Sequence, residues 1–257
     1  MDGSATDAAC VAELGPVEIS DRDVTLFDSG GVWRLDATAQ NGLRLVLRTG
    51  RHPGRAYHAL EVGRDLREGQ VTLDPAELTD EPDPFALRAP LHELWTQFLL
   101  WRGRGALVHA CGLLCDNRVH LFVGPSGAGK STLAGILAGR YGEVLSDDRV
   151  VIRPEKAGFC AYGTPWHGEA RFASARSGPL TSLSFLMQAP GSQRRVLTHD
   201  RAAAQLVANC FMAGWPRGNV KELLEMCVGI VKSVPCFELA FTPDDSAARA
   251  AGLEPVS

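Results

Sequence analysis

No apolar run in the sequence approaches the ~18 residues that a membrane-spanning helix needs; Phe98–Trp101 is stopped by Arg102 and Arg104. Lysine is scarce, supplying four of the 26 basic residues (Lys130, Lys156, Lys221 and Lys232). There is no dense Lys/Arg patch of the kind that marks a nucleic-acid binder. The seven cysteines form no C-x-x-C pair, and Met1–Cys10 carries Asp2 and Asp7 without the basic-then-apolar pattern of a signal peptide. The thiols are therefore expected to be reduced and mostly buried, and the chain cytoplasmic, with neither membrane nor nucleic acid among its partners.

What is present is an ordinary globular composition, 45% apolar and 22% charged over 257 residues, enough for one large domain or two small ones. It excludes a disordered chain, a collagen-like fibre and a disulfide scaffold. Charge is unevenly spread: residues 1–89 hold 16 acids and 9 bases, residues 90–257 hold 14 and 17. A weakly basic second half suits a phosphate-bearing small ligand.

The first half reads as β structure. Val17–Ser20, Val24–Asp28, Val32–Asp36, Leu43–Arg48, Ala56–Val62 and Gln70–Leu73 are short alternating or β-branched runs between turn-rich pieces. Residues 74–90 turn to Asp, Glu and Pro, which predicts a linker and a boundary between a β-rich region (1–89) and a second domain (90–257). Leu91, Leu94, Trp95 and Phe98 then mark one face of a helix that should end near Arg102-Gly103. Ala106–Leu114 and Arg118–Val123 read as a hairpin, and a helix is expected over Lys130–Ala138. Val144–Ser146 and Val150–Ile152 are short strands, as are Leu183–Met187 and Phe237–Phe241. Asp200–Met212 and Val220–Val231 look helical. This alternation predicts an α/β core.

Gly124-Pro-Ser126-Gly127-Ala128-Gly129-Lys130-Ser131 matches G-x-x-x-x-G-K-[ST], between a strand and a helix as a phosphate-binding loop requires. Its glycines let backbone N–H groups turn toward phosphate oxygens, and the following helix aims its positive end at the same anion. Lys130 would neutralise the outer phosphates, and the Ser131 hydroxyl can bind Mg²⁺, with Thr132 next to it. Such a loop needs an acid near the metal, and Asp147-Asp148-Arg149 follows a short apolar strand. One carboxylate can serve the metal, and the second can take a proton from an attacking hydroxyl. No LSGGQ-like stretch, no N-K-x-D and no H-R-D…D-F-G pair is found, which argues against transporter ATPases, GTPases and protein kinases. Cys111 and Cys115 fall on one face of a strand and read as buried thiols rather than metal ligands. Trp166 is the tryptophan nearest the expected site.

Leu107-Val-His109-Ala-Cys-Gly112, the block Leu121–Ala134 and Leu145-Ser-Asp-Asp-Arg-Val-Val-Ile152 together resemble the catalytic domain of HPr kinase/phosphorylase. They are more similar still to the HPr-kinase-like proteins of bacterial peptide-modification clusters, including lasso-peptide kinases. Gly163-Thr-Pro-Trp-His-Gly-Glu169, Leu183–Met187 and Val234–Leu239 extend the resemblance, which covers about residues 90–245. It implies a P-loop kinase fold of the phosphoenolpyruvate-carboxykinase/HPr-kinase type. It also implies ATP/Mg²⁺-dependent transfer of the γ-phosphoryl group to a serine hydroxyl, in a peptide or small protein. On this resemblance Asp147 is the general base, Asp148 and Ser131 are metal-side groups, and His109 lies beside the transfer site. Glu169 is a further candidate metal-side or substrate-binding acid, and Arg149 or Arg171 would neutralise the transferring phosphate. Residues 1–89 do not resemble the N-terminal domain of the HPr enzyme, so HPr itself is not implied as acceptor. A small-molecule or carboxykinase-like phosphotransferase and a nucleotide-dependent binding switch remain open, as does a homo-oligomer.

Overall fold

A computed structural model describes residues 8–48, 55–77, 91–100, 104–212 and 220–256. The chain forms two compact units, one running through Leu99 and the other starting at Leu100.

The first unit is built on a six-stranded sheet ordered β1-β6-β5-β4-β3-β2. Strands β2 (Val24–Asp28), β3 (Trp33–Ala37), β4 (Leu43–Arg48), β5 (Ala56–Val62) and β6 (Glu68–Leu73) form an antiparallel meander. Apolar alternation buries Leu35, Leu45, Leu47, Leu60 and Val71. Helix α1 (Leu91–Leu100) buries Leu91, Leu94, Trp95 and Phe98, the face its spacing predicts, and the Trp95 indole donates to Leu66 O at 2.8 Å. The expected helix end at Arg102-Gly103 and most of the expected linker fall outside the described residues.

One expectation here is overturned: Val17–Ser20 is irregular, and the strand is β1 (Ala9–Leu14), paired in parallel with β6. Every residue of β1 is exposed, so it carries no burial alternation to read, and Gly15-Pro16 ends it. Its existence depends on the ladder offered by β6.

The second unit is a mixed α/β layer structure, rich in strands. Its eight-stranded sheet runs β11-β10-β7-β8-β12-β14-β13, with β9 also paired to β7. Strands β7 (Ala106–Cys115) and β8 (Arg118–Val123) form the expected hairpin, its turn made by Asp116 (φ 49°) and Asn117 (φ 58°), the left-handed pair that a two-residue hairpin turn favours. Strand β12 (Ser177–Gln188) lies parallel to both β8 and β14 (Cys236–Phe241). The sheet is apolar on both faces. On one, Val108, Ala110, Leu121 and Leu183 pack with α3 (His199–Ala208) and α4 (Val220–Ser233). On the other, Cys111, Leu113, Phe122 and Leu239 pack with α2 (Lys130–Leu137) and α5 (Ser246–Ala251). Among the described residues no helix is long and apolar enough to cross a membrane.

Two local departures shape the site. Strands β9 (Glu143–Ser146) and β10 (Arg149–Glu155) both pair antiparallel with β7, β9 against Gly112–Leu114 and β10 against Ala106–His109. Asp147 and Asp148 therefore form a two-residue interruption along one line of pairing, the kind of bulge that re-aims side chains. The helix expected over Asp200–Met212 ends at Ala208. Beyond it Asn209 O accepts from His109 N and Phe211 N donates to Leu107 O, both at 2.8 Å, so this segment is held by β7 instead. Strands β11 (Gly158–Tyr162) and β13 (Gln193–Val196) were not legible in the sequence, since β13 is exposed throughout and its pattern is polar.

Candidate functional site

The glycine-rich loop, residues 124–129, joins the end of β8 to the start of α2. Gly127 (φ 79°) and Gly129 (φ 96°) take left-handed conformations that only glycine adopts without strain. A Cβ at Gly129 would also come within 2.7 Å of the Phe241 ring. Lys130 is only 6% exposed, and its ammonium donates to Gly124 O (2.8 Å) and Pro125 O (2.9 Å), closing the loop on itself. Burial pulls its pKa below the ordinary lysine value, against the opposing pull of Asp148 and Asp147.

That shift has a measurable consequence if the loop takes phosphate. A bound anion favours the ammonium, so affinity for Mg-ATP should fall with rising pH, beginning below the ordinary lysine pKa of about 10.4. Calorimetric titration between neutral and alkaline pH checks this. Lys130→Arg, whose charge persists there, should flatten the profile.

The two adjacent acids have different surroundings. Asp147 is 1% exposed and accepts four hydrogen bonds. Gly168 N (2.9 Å) and Phe172 N (3.2 Å) donate to Oδ1, while Ala170 N (2.9 Å) and the Ser131 hydroxyl (2.8 Å) donate to Oδ2. The loop after Trp166 thus wraps three N–H groups around one carboxylate. It turns at Arg171, which is exposed and lies at φ 59°. Gly168 is required by contact, because a Cβ there would stand 2.7 Å from Asp147 Oδ2.

Asp148 is half-buried. His109 Nε2 lies 3.2 Å from Oδ1, and Arg149 Nε donates to Oδ2 at 2.9 Å. The His109 hydrogen bond, helped by the Arg149 charge, holds the carboxyl below its ordinary pKa, with partial burial opposing. His109 reaches Asp148 because it sits opposite Arg149 in the β7–β10 register. The Arg149 guanidinium lies over the rings of Phe211 (4.7 Å) and Trp166 (5.8 Å), which fixes its direction.

One cleft of about 260 Å³ collects His109, Ser126, Gly127, Gly129, Lys130, Ser131, Thr132, Asp147, Asp148 and Glu169. Gly124, Ala128 and Arg149 do not line it: Gly124 O accepts from Lys130, Ala128 packs against the apolar cluster on the α2 and α5 face of the sheet, and Arg149 braces Asp148. Sequence reasoning missed three residues. The Ser146 hydroxyl donates to Trp166 O (2.9 Å) and accepts from Asp148 N and Arg149 N, holding the bulge; a serine just before Asp-Asp was the available signal. Gly168 and Gln188 line the cleft, and Gln188 Nε2 donates to Gly127 O at 2.8 Å. Nothing local to Gln188 could have revealed it.

Among the described residues no three His, Cys, Asp or Glu side chains cluster as a metal cage. The cleft's oxygen donors, Ser131, Asp147, Asp148 and Glu169, suit a hard divalent cation that brings ligands with it.

No protein-family model matches the chain, and no curated protein matches it. Among solved structures the HPr(Ser) kinase/phosphatase from Coxiella burnetii is a weak structural neighbour: 15% identical, covering 49% of this chain and 88% of that one, with a TM-score of 0.27.

Proposed function

We propose that the protein is an ATP- and Mg²⁺-dependent kinase that transfers the γ-phosphoryl group to a serine hydroxyl of a peptide or small protein. The observation that carries this reading is the Asp148 carboxylate, with His109 Nε2 3.2 Å from it, in the same cleft as the glycine-rich loop and Lys130. A nucleotide switch has no use for a second, positioned carboxylate beside the metal-side acid; a kinase does.

In this mechanism the loop N–H groups and Lys130 hold the triphosphate. Ser131 would hold Mg²⁺, with Asp147 behind it accepting from the Ser131 hydroxyl, and the ion would supply charge neutralisation on the outer phosphates. Asp148, rather than Asp147, accepts the proton of the acceptor hydroxyl as its oxygen bonds to the γ-phosphorus and the bond to the ADP oxygen breaks. Asp147 is the poorer base because both its oxygens already accept two hydrogen bonds. His109 keeps Asp148 ionised and aimed, and Arg149 steadies it from the other side.

The test is intact-mass spectrometry of peptides encoded beside the gene, incubated with the protein, ATP and Mg²⁺. One phosphate should be gained, on a serine located by fragmentation. ADP formed only with small hydroxyl compounds would replace the peptide acceptor by a small molecule, and no transfer to any acceptor while ATP binds would sink the kinase reading.

A further inference from the structure

Cys210 and Cys227 lie on separate segments, yet their sulfurs are 3.8 Å apart. Both are free thiols. Cys227 is buried on α4, and Cys210 is half-buried in the non-helical segment after α3. Neither takes part in the chemistry proposed above, but Cys210 sits among groups that support it. It bridges Val108 of β7, and on either side of it Asn209 O and Phe211 N bond to His109 N and Leu107 O. The Phe211 ring then lies 5.6 Å from the His109 ring and 4.7 Å from the Arg149 guanidinium.

We infer that Cys210 and Cys227 are an oxidation site, a dithiol that closes to a disulfide and carries the change to His109 through Phe211. A low-molecular-weight disulfide such as oxidised glutathione is a sufficient oxidant. The Cys210 sulfur attacks one sulfur of the oxidant, giving a mixed disulfide and one glutathione thiol. The Cys227 sulfur then attacks Cys210 Sγ and expels the second glutathione thiol. One S–S bond breaks and one forms. The two cysteine protons end on the two glutathione thiols, and the two electrons lost by the cysteines reduce the oxidant.

Closure requires movement. A disulfide is about 2.05 Å long, so the sulfurs must approach by roughly 1.8 Å. Helix α4 resists, because Cys227 and its neighbours Leu223, Ile230 and Val231 are packed into the core. The segment 209–211 is tied to β7 by two backbone hydrogen bonds, so it is the part that gives, and Phe211 moves with it. The contact with Cys227, followed by burial, pushes the Cys210 thiol up and keeps it protonated. A protonated thiol attacks slowly, so the pair answers sustained oxidation rather than a brief pulse.

The test uses the whole chain carrying Cys10→Ser, which removes an exposed thiol, held for hours in oxidised glutathione. Intact mass should fall by about 2 Da, the two hydrogens lost on closure. Mapping without reduction should join Cys210 to Cys227, and dithiothreitol should reverse both results. The assigned His109 imidazole signals in NMR spectra should shift on oxidation as the Phe211 ring moves. They should stay in place in Cys210→Ala and in Cys227→Ala, two separate variants that guard against a folding defect in either. The inference is overturned if the pair stays reduced, if the bond joins other cysteines, or if it forms while the His109 signals stay unmoved. None of these readouts uses ATP or an acceptor, so the outcome is independent of whether the kinase reading survives its own test.

Discussion

Asp148→Asn is expected to lower the phosphoryl-transfer rate about 10²–10⁴-fold while leaving Mg-ATP affinity within about twofold. Asparagine preserves the volume and one acceptor oxygen but cannot take a proton. Of the two adjacent acids, Asp148 has room to do so: its side chain is 22% exposed, and its partners are His109 and Arg149 rather than backbone N–H groups. Steady-state kinetics should show kcat falling with KM for ATP unchanged. His109→Ala tests the same arrangement from the other side. The His109 hydrogen bond is the largest influence depressing the Asp148 pKa, so its removal lets that pKa climb back toward the ordinary carboxylate value. The base is active when deprotonated, so the acid limb of kcat/KM should move to higher pH. An Asp148→Asn enzyme that retains its rate would return the proton to another group.

Asp147→Asn is expected to act on stability, by about 3–5 kcal/mol, because it disrupts a buried, charge-assisted cluster. The asparagine NH₂ would face N–H groups that now donate to a carboxylate, and at least one of Gly168, Ala170 and Phe172 would lose its acceptor. In a unit of this size the loss corresponds to a fall in Tm on the order of 10 °C, read by thermal or chemical denaturation. Activity should fall as well, since Glu169 sits in the loop that Asp147 organises. A variant as stable as the parent but inactive in transfer would reverse the assignment and make Asp147 the base. The two substitutions thus separate by their readouts: one affects rate at constant stability, the other affects stability first.

Much of the second unit could be read from sequence because its signals are local. The G-x-x-x-x-G-K-S spacing places left-handed glycines and a helix start within a few bonds of each other. The apolar run of β7 and β8 reports burial on both faces, and Asp116-Asn117 suits a two-residue turn. The helix face Leu91, Leu94, Trp95 and Phe98 is likewise written in the spacing of its own residues.

What sequence alone could not decide lies wherever a residue depends on a distant neighbour. Strand β1 is exposed along its length and exists because β6 offers it a ladder. Helix α3 stops short because Asn209–Phe211 find backbone partners on β7 that continued helix would forgo. Gln188 and Gly168 enter the cleft from other parts of the fold.

The Asp147-Asp148 pair shows the division most directly. Composition and spacing identify two carboxylates beside a phosphate-binding motif, and nothing in two identical adjacent residues distinguishes their roles. The distinction arises because the chain changes pairing partners on β7 between Ser146 and Arg149. That bulge turns one carboxylate inward, onto the N–H groups of residues 168–172, and leaves the other beside His109. Local stereochemistry and periodicity reside in consecutive residues and so can be read along the chain. Burial and hydrogen-bond saturation belong to contacts across the sheet, and only the folded register assigns them.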